Sequence, residues 1–144
     1  IDKFMGDAIM ALFNAPVEQE DHTLRAVRAA IEMRAAIKSI QGELPAELRL
    51  GIGIGIHSGE AVLGLVGTQE RLEYTAIGDS VNIAKRLQEN AAPGQILIST
   101  AAYRRIAESV LAQSITPIRA KGKSELIEVF EVSSLISNYS AQTP

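Results

Sequence analysis

Hydrophobic and polar residues alternate along this chain with two periods, the roughly 3.6-residue period of a helix and the two-residue period of a strand. Two short apolar runs, Asp2–Met5 and Ala8–Phe13, flank Gly6-Asp7, a dipeptide typical of tight turns. They predict a β-hairpin. From about Asp21 to Gln41 the apolar residues recur mainly on one helical face, which predicts a long helix with Asp21 or Thr23 as its N-cap. The apolar positions of that face are Leu24, Val27, Ile31, Ile37 and Ile40.

The segment Leu48–His57 alternates strictly between isoleucine or leucine and, mostly, glycine. A period of two predicts a strand, and three glycines on one face predict a closely packed neighbour such as a helix backbone. These glycines are not a dinucleotide-binding fingerprint, because that motif lies between a strand and a helix. Here the glycines lie inside the strand.

The remaining periodic segments complete an α+β layout of order ββ-α-βββ-α-β-α-ββ, with a mostly antiparallel sheet and flanking helices. Val81, Ala84 and Leu87 form the predicted buried stripe of the second helix, and Ser99-Thr100 caps the third. We expect one domain over residues 1–133 and a polar tail over 134–144. The further strands are predicted at Glu60–Val66, Leu72–Ala76, Gln95–Ile98, Ile115–Arg119 and Leu126–Val132, and the helices at Ser80–Glu89 and Ala101–Ala107.

Composition narrows the function classes. The 144 residues contain no cysteine, which excludes disulfides, thiolate metal sites and a cysteine nucleophile. A net charge of -3 gives no basic footprint, so we do not expect nucleic acid as a partner. No apolar run is long enough for a membrane span, and no signal peptide opens the sequence. We expect a cytoplasmic domain without membrane contact from this segment, although the parent protein could be membrane-tethered.

Several polar residues could carry chemistry, but each has an ordinary structural explanation. Lys3 and Asp7 flank the first turn, where a surface ion pair is common, although a carboxylate there could bind Mg²⁺. Asn82 and Arg86, four residues apart, share a helix face and could bind ribose and phosphate, yet such pairs are usually solvent-exposed decoration. The Lys121-Gly122-Lys123 turn could bind polyphosphate or be a plain basic turn. His22 and His57 lack metal-ligand spacing.

Taken together, four segments resemble the class III adenylate/guanylate cyclase catalytic domains in content and order. They cover nearly the whole chain, so chance agreement is very improbable. The segments are Ile1–Ala11, Gly53–Gly59, Glu73–Leu87 and Lys121–Lys123. The resemblance implies the ferredoxin-like cyclase fold and an adenylate cyclase that converts ATP to 3′,5′-cyclic AMP and pyrophosphate.

The resemblance also implies roles for individual residues. Lys3 is similar to the residue that recognises adenine, where guanylate cyclases tend to have Glu, and Thr75 occupies the position of its partner in base selection. Asp7 resembles the second of two metal-binding aspartates. Asn82 and Arg86 are similar to the ribose-orienting and transition-state residues. Lys121 resembles the triphosphate-binding lysine, with Lys123 as a weaker candidate.

Members of this family bind ATP between two catalytic domains, and two Mg²⁺ or Mn²⁺ ions serve each site. The resemblance therefore implies a homodimer with shared active sites. The family's first metal aspartate lies in a strand several tens of residues before the Lys3 hairpin, and neither Asp2 nor Asp21 has the context to replace it. We accordingly expect the first strand and helices to be missing, and the fragment itself to be inactive although its parent is active.

Three alternatives remain at this point. One is a non-catalytic cyclase-like domain that binds nucleotide or dimerises, although keeping Lys3, Asp7, Asn82 and Arg86 together argues against it. Another is a guanylate cyclase, because a threonine hydroxyl at Thr75 can donate as well as accept. A ferredoxin-like RNA-binding module would need aromatic residues on the sheet face and a basic surface, and the sequence has neither.

Overall fold

The structure is a computed structural model that describes residues 1–119 and 124–136. Its elements follow the predicted order, which confirms the α+β class. The strands are β1 (Lys3–Met5), β2 (Ala8–Met10), β3 (Ile54–Ile56), β4 (Val62–Thr68), β5 (Arg71–Ile77), β6 (Ile96–Ser99), β7 (Val110–Arg119) and β8 (Leu126–Leu135). The helices are α1 (His22–Gly42), α2 (Asp79–Asn90) and α3 (Thr100–Ile106). A short 3-10 turn spans Ala46–Leu48.

The described strands form three separate groups. β1 pairs with β2 and β4 pairs with β5, each as an antiparallel hairpin. The other four strands form a sheet of order β3-β6-β8-β7, in which β3 and β6 run parallel and the other pairs antiparallel. The prediction of a mostly antiparallel arrangement is thus confirmed, with one parallel pair.

Two apolar clusters cover the four-stranded sheet. One packs α1 and α3 against β6 and the C-terminal strands, with Val27, Ile98 and Val132 among its fully buried members. The other packs α2 against the sheet through Leu87, which contacts a cluster that includes Leu97 and Val129. Burial of such side chains is the main stabilising contribution in this domain. The predicted stripe of α2 is therefore anchored by Leu87, while Val81 and Ala84 are only half-buried.

The strand predicted over Leu48–His57 is wrong in its extent, because only Ile54–Ile56 forms a strand. The residues before it meet a turn instead of a neighbouring strand. Ile52 accepts a hydrogen bond from Gly94 N, and Ile54 N donates to Gln95 O. Strand pairing therefore accounts for the alternating pattern only at Ile54–Ile56, and packing accounts for the rest of it.

The expectation of a close neighbour at the glycines is confirmed. A Cβ at Gly55 would lie 2.6 Å from Ala84 O and even closer to Gln88 N, both in the backbone of α2. A Cβ at Gly53 would lie 2.5 Å from Ala91 O, just after α2 ends. The glycines therefore let α2 lie directly on β3.

Several boundaries differ from the sequence predictions, the largest shift being that β7 begins at Val110 and not at Ile115. Asp21 occupies the N-cap position of α1 but makes no capping bond, because its side chain bonds Arg25 instead; Thr23 is buried inside the helix. β8 extends to Leu135, beyond the predicted end at Val132, because Leu135 pairs with Val110. The first residues of the predicted tail thus belong to a strand, and the remainder from residue 137 lies outside the described residues.

Candidate functional site

The β1–β2 hairpin presents Lys3 and Asp7. Gly6, with φ at +61°, allows the tight turn between the two strands. Asp7 is exposed at this turn and Lys3 is half-exposed on β1. Within residues 1–119 and 124–136, neither side chain makes a hydrogen bond or ion pair, so the surface ion pair that is common at such turns does not form there. Both charges are available to an external partner.

Helix α2 presents Asn82 and Arg86 on neighbouring turns. Gly78, with φ at +132°, forms its N-cap, and its carbonyl accepts from Val81 N. Leu87 anchors the opposite side in the core. Asn82 is exposed and Arg86 is half-exposed, so the predicted common face is directed away from the packed stripe.

The Arg86 guanidinium has two partners, one at the end of β7 and one on α2 itself. Its Nε donates to the main-chain oxygen of Arg119 at 3.2 Å, and its Nη1 lies 3.3 Å from Oε2 of Glu89. The ion pair joins side chains that are 28% and 44% exposed. Such partly exposed pairs contribute at most about 1 kcal/mol to stability. Glu89 is therefore a weak competitor for any phosphate that approaches Arg86.

Thr75 differs from the other predicted site residues because it is buried, at 5% exposure. It lies on β5 opposite Gly64 of β4. Its Oγ1 donates a 2.7 Å hydrogen bond to Oδ2 of Asp2, at the start of the β1–β2 hairpin. This bond joins the two hairpins at the position where the resemblance places base selection. From the sequence, Asp2 is a candidate only for metal binding, and no local signal indicates a contact with Thr75, which lies 73 positions away.

The two histidines lie apart from these residues. His57 Nδ1 lies 2.7 Å from Oγ of Ser99, the residue whose hydroxyl also caps α3, and burial lowers the pKa of His57. His22 Nε2 contacts Arg105, and burial followed by the charge of that guanidinium lowers the pKa of His22. The part of the chain that the structure describes contains no group of three or more His, Cys, Asp or Glu side chains able to hold a metal.

The predicted site residues thus fall into two described groups. One group is the β1–β2 hairpin with Lys3 and Asp7, which the hydrogen bond of Asp2 joins to Thr75. The other group is Asn82 and Arg86 on α2. No described side-chain bond links the two groups. Lys121 and Lys123 lie outside the described residues, although Arg119, the partner of Arg86, precedes Lys121 by two positions in the sequence. Within residues 1–119 and 124–136, no single stretch assembles a complete nucleotide site.

Both hairpins expose large apolar side chains next to these polar residues. Phe4 on β1 and Val62, Leu65 and Tyr74 on β4–β5 are each more than 60% exposed. Exposed apolar side chains mark an interaction surface when they form one contiguous patch, and these residues are the candidates for such a patch here. No helix in residues 1–119 and 124–136 has the length and hydropathy needed to span a membrane.

Comparison with known sequences identifies the domain. The profile of the adenylate and guanylate cyclase catalytic domain matches residues 3–133. An adenylate cyclase of Anabaena cylindrica is 37% identical over 143 residues, which covers 92% of this chain and 28% of that protein. The chain spans between 6% and 28% of the length of three curated adenylate cyclases that it matches.

Comparison with solved structures agrees. The adenylyl cyclase CyaB of P. aeruginosa has a TM-score of 0.86 at 32% identity, covering 92% of this chain and 70% of that one. The guanylyl cyclase Cya2 has a TM-score of 0.82 at 32% identity, covering 96% and 71%. The overall fold therefore does not by itself separate ATP from GTP as substrate. This chain belongs to the class III adenylate and guanylate cyclase catalytic-domain family.

Proposed function

We propose that this domain is the catalytic domain of an adenylate cyclase that converts ATP to 3′,5′-cyclic AMP and pyrophosphate. The observation that carries the proposal is the family match over residues 3–133. Lys3, Asp7, Thr75, Asn82 and Arg86 stand at the motif positions of that family, which favours catalysis over a purely structural role.

The choice of ATP rests on Lys3 and Thr75. A lysine ammonium can only donate, so it pairs with the N1 acceptor of adenine and opposes the N1–H donor of guanine. The adenine amino group donates where guanine presents the O6 acceptor. Thr75 would accept from that amino group. A site built on these two residues favours ATP over GTP because GTP leaves donors facing each other.

At the α-phosphorus, the reaction forms one bond to oxygen and breaks one. The ribose 3′-oxygen attacks the α-phosphorus, the bond to the bridging oxygen of the β-phosphate breaks, and the hydroxyl proton passes to solvent. Asn82 would orient the ribose, and Lys121 would bind the triphosphate. Arg86 would exchange Glu89 for the α-phosphate and stabilise charge that develops there, a contribution of about 3 kcal/mol in comparable sites.

Asp7 is the metal ligand in this proposal. Its exposed carboxylate is the oxygen ligand that Mg²⁺ or Mn²⁺ prefers, but it is one ligand and not a complete site. Two such ions, when bound, would activate the 3′-hydroxyl and steady the pyrophosphate. Because the sequence matches only one of the family's two metal aspartates, we expect the 144-residue chain alone to be inactive.

The active form we propose is a homodimer. The exposed apolar side chains of the β1–β2 and β4–β5 hairpins supply a surface for a second copy, beside Lys3 and Asp7. Each site would then take Asp7 from one protomer and the base, ribose and phosphate residues from the other. We propose the cytoplasm, where ATP is available, as the compartment of this domain.

The test is product formation by the full-length protein with Mg²⁺ or Mn²⁺. We expect cyclic AMP from ATP, much less cyclic GMP from GTP, and loss of turnover in Asp7→Ala. Asp21→Ala is the matched control, because Asp21 is an exposed carboxylate paired with Arg25 on α1. Cyclic GMP as the main product would make the protein a guanylate cyclase. ATP binding without any cyclic product would support the non-catalytic alternative.

A further inference from the structure

We propose that Asp2 is a specificity-positioning residue that makes the Thr75 hydroxyl an obligate hydrogen-bond acceptor toward the nucleotide base. This inference rests on the proposed function of the same site. It starts from a chemical ambiguity at Thr75. An aspartate at that position would present acceptor oxygens only, whereas a threonine hydroxyl can rotate and donate to the O6 of guanine as readily as it accepts from the adenine amino group.

The Asp2–Thr75 hydrogen bond removes this ambiguity. An ionised carboxylate has no proton to give, so Thr75 must be the donor in the 2.7 Å bond from its Oγ1 to Asp2 Oδ2. A hydroxyl carries one hydrogen. With that hydrogen committed to Asp2, the free side of Oγ1 presents only lone pairs. The pair then behaves toward a base as a single carboxylate would.

The surroundings keep the bond in place. Thr75 is 5% exposed, so water competes little for its hydroxyl. Its branched Cβ restricts rotation of the side chain on strand β5. Asp2 is fixed in turn by its main-chain N–H, which donates to Met10 O at 2.8 Å across the hairpin. Hydrogen bonds to a charged acceptor are also stronger than those between neutral groups.

The ladder position opposite Thr75 leaves open space. The residue opposite Thr75 in the β4–β5 ladder is Gly64, which has no side chain. A Cβ built at Gly64 would meet no atom within 4 Å. A base that occupies this open space would be the partner of the Thr75 lone pairs, and a side chain at position 64 would take up part of the same space.

The experiment is a double-mutant cycle in the full-length protein, read as the ratio of kcat/KM for ATP to kcat/KM for GTP. We expect Asp2→Ala to lower this ratio by about 3- to 10-fold, the effect of one hydrogen bond. Asp2→Asn, whose carbonyl oxygen can still accept from Thr75, should keep more of the preference. Asp21→Ala should leave the ratio unchanged.

The second arm of the cycle distinguishes an effect of Asp2 on base selection from an effect on folding. In a Thr75→Val background, Asp2→Ala should cause no further fall in the ratio, because Asp2 acts through the hydroxyl. An unchanged ratio in Asp2→Ala, or equal falls with and without the Thr75 hydroxyl, would overturn the inference while leaving the cyclase intact. If the wild type forms no cyclic nucleotide, the proposed function fails instead. The ratio of ATP to GTP dissociation constants then reads the same cycle, with the same outcomes for and against the role of Asp2.

Discussion

Thr75 and Asp2 are 73 positions apart, yet they share the best-buried hydrogen bond among the candidate site residues. Sequence motifs indicated Thr75 and five other site residues individually, because each stands in a short segment with a family pattern. The Asp2–Thr75 contact depends on how two hairpins meet, and no periodicity encodes that meeting. The contact of Arg86 with Arg119 was equally invisible, because Arg119 approaches from a different element, whereas Glu89 lies three residues along the same helix.

His57 provides a residue-scale prediction on pH. Burial lowers its pKa below the usual 6.5, so the unfolded chain binds the proton more readily than the folded one. Stability contributed by the neutral ring is complete above pH 6.5 and falls as the pH drops below that value toward the lowered pKa. His22, whose pKa is also lowered, adds to the same slope.

The measurement is the free energy of unfolding of the catalytic domain at several pH values between 8 and 5, a range centred on about the ordinary histidine pKa. We expect His57→Gln to lose less stability than the wild type as the pH falls through this range. His22→Gln serves as the comparison that removes only the second contribution. Equal slopes for the wild type and His57→Gln would show that His57 is not the titrating group.

At the scale of elements, helices were predicted to within one or two residues, because a long apolar stripe and clear turn residues bound each of them. Strands were less well predicted. The alternating segment from Leu48 to His57 satisfies a strand pattern, but its first half meets the turn at Gly94 and the start of β6 lies further along. Pairing partners decide where a strand begins, and they come from distant sequence.

The contact of α2 with β3 gives a prediction at this scale. Gly55→Ala would place a methyl group against Gln88 N and Ala84 O, which are main-chain atoms of a helix and cannot move independently. We expect a loss of about 1–3 kcal/mol in the free energy of unfolding, measured by urea denaturation. Displacement of α2 should also lower turnover, because α2 presents Asn82 and Arg86.

Gly64→Ala is the matched control for stability. This glycine lies in strand β4 with open space around its Cβ position. We expect it to be neutral or stabilising by at most about 1 kcal/mol, through reduced entropy of the unfolded chain. A similar loss at both positions would mean that close packing on α2 is not what requires glycine at position 55.

At the scale of the whole molecule, the family and the order of the elements could be predicted from the sequence. The division of the strands into three separate sheets could not. The described strands form two hairpins and a four-stranded sheet, and the hairpins carry exposed apolar side chains. The candidate site is likewise divided between the hairpins and α2. Both observations support an active site that two copies of the domain complete together.

Complementation between two inactive variants tests this central claim most directly. Asp7→Ala removes the proposed metal ligand and Arg86→Ala the proposed transition-state residue, so each homodimer should be inactive. Freely exchanging chains should form mixed dimers with one intact site, which restores about one quarter of wild-type activity.

The control is Asp7→Ala mixed with the Asp7→Ala/Arg86→Ala double variant, in which every site lacks a component. The account predicts cyclic AMP from the first mixture and none from the control. A first mixture that forms mixed dimers yet produces no cyclic AMP would contradict the shared site.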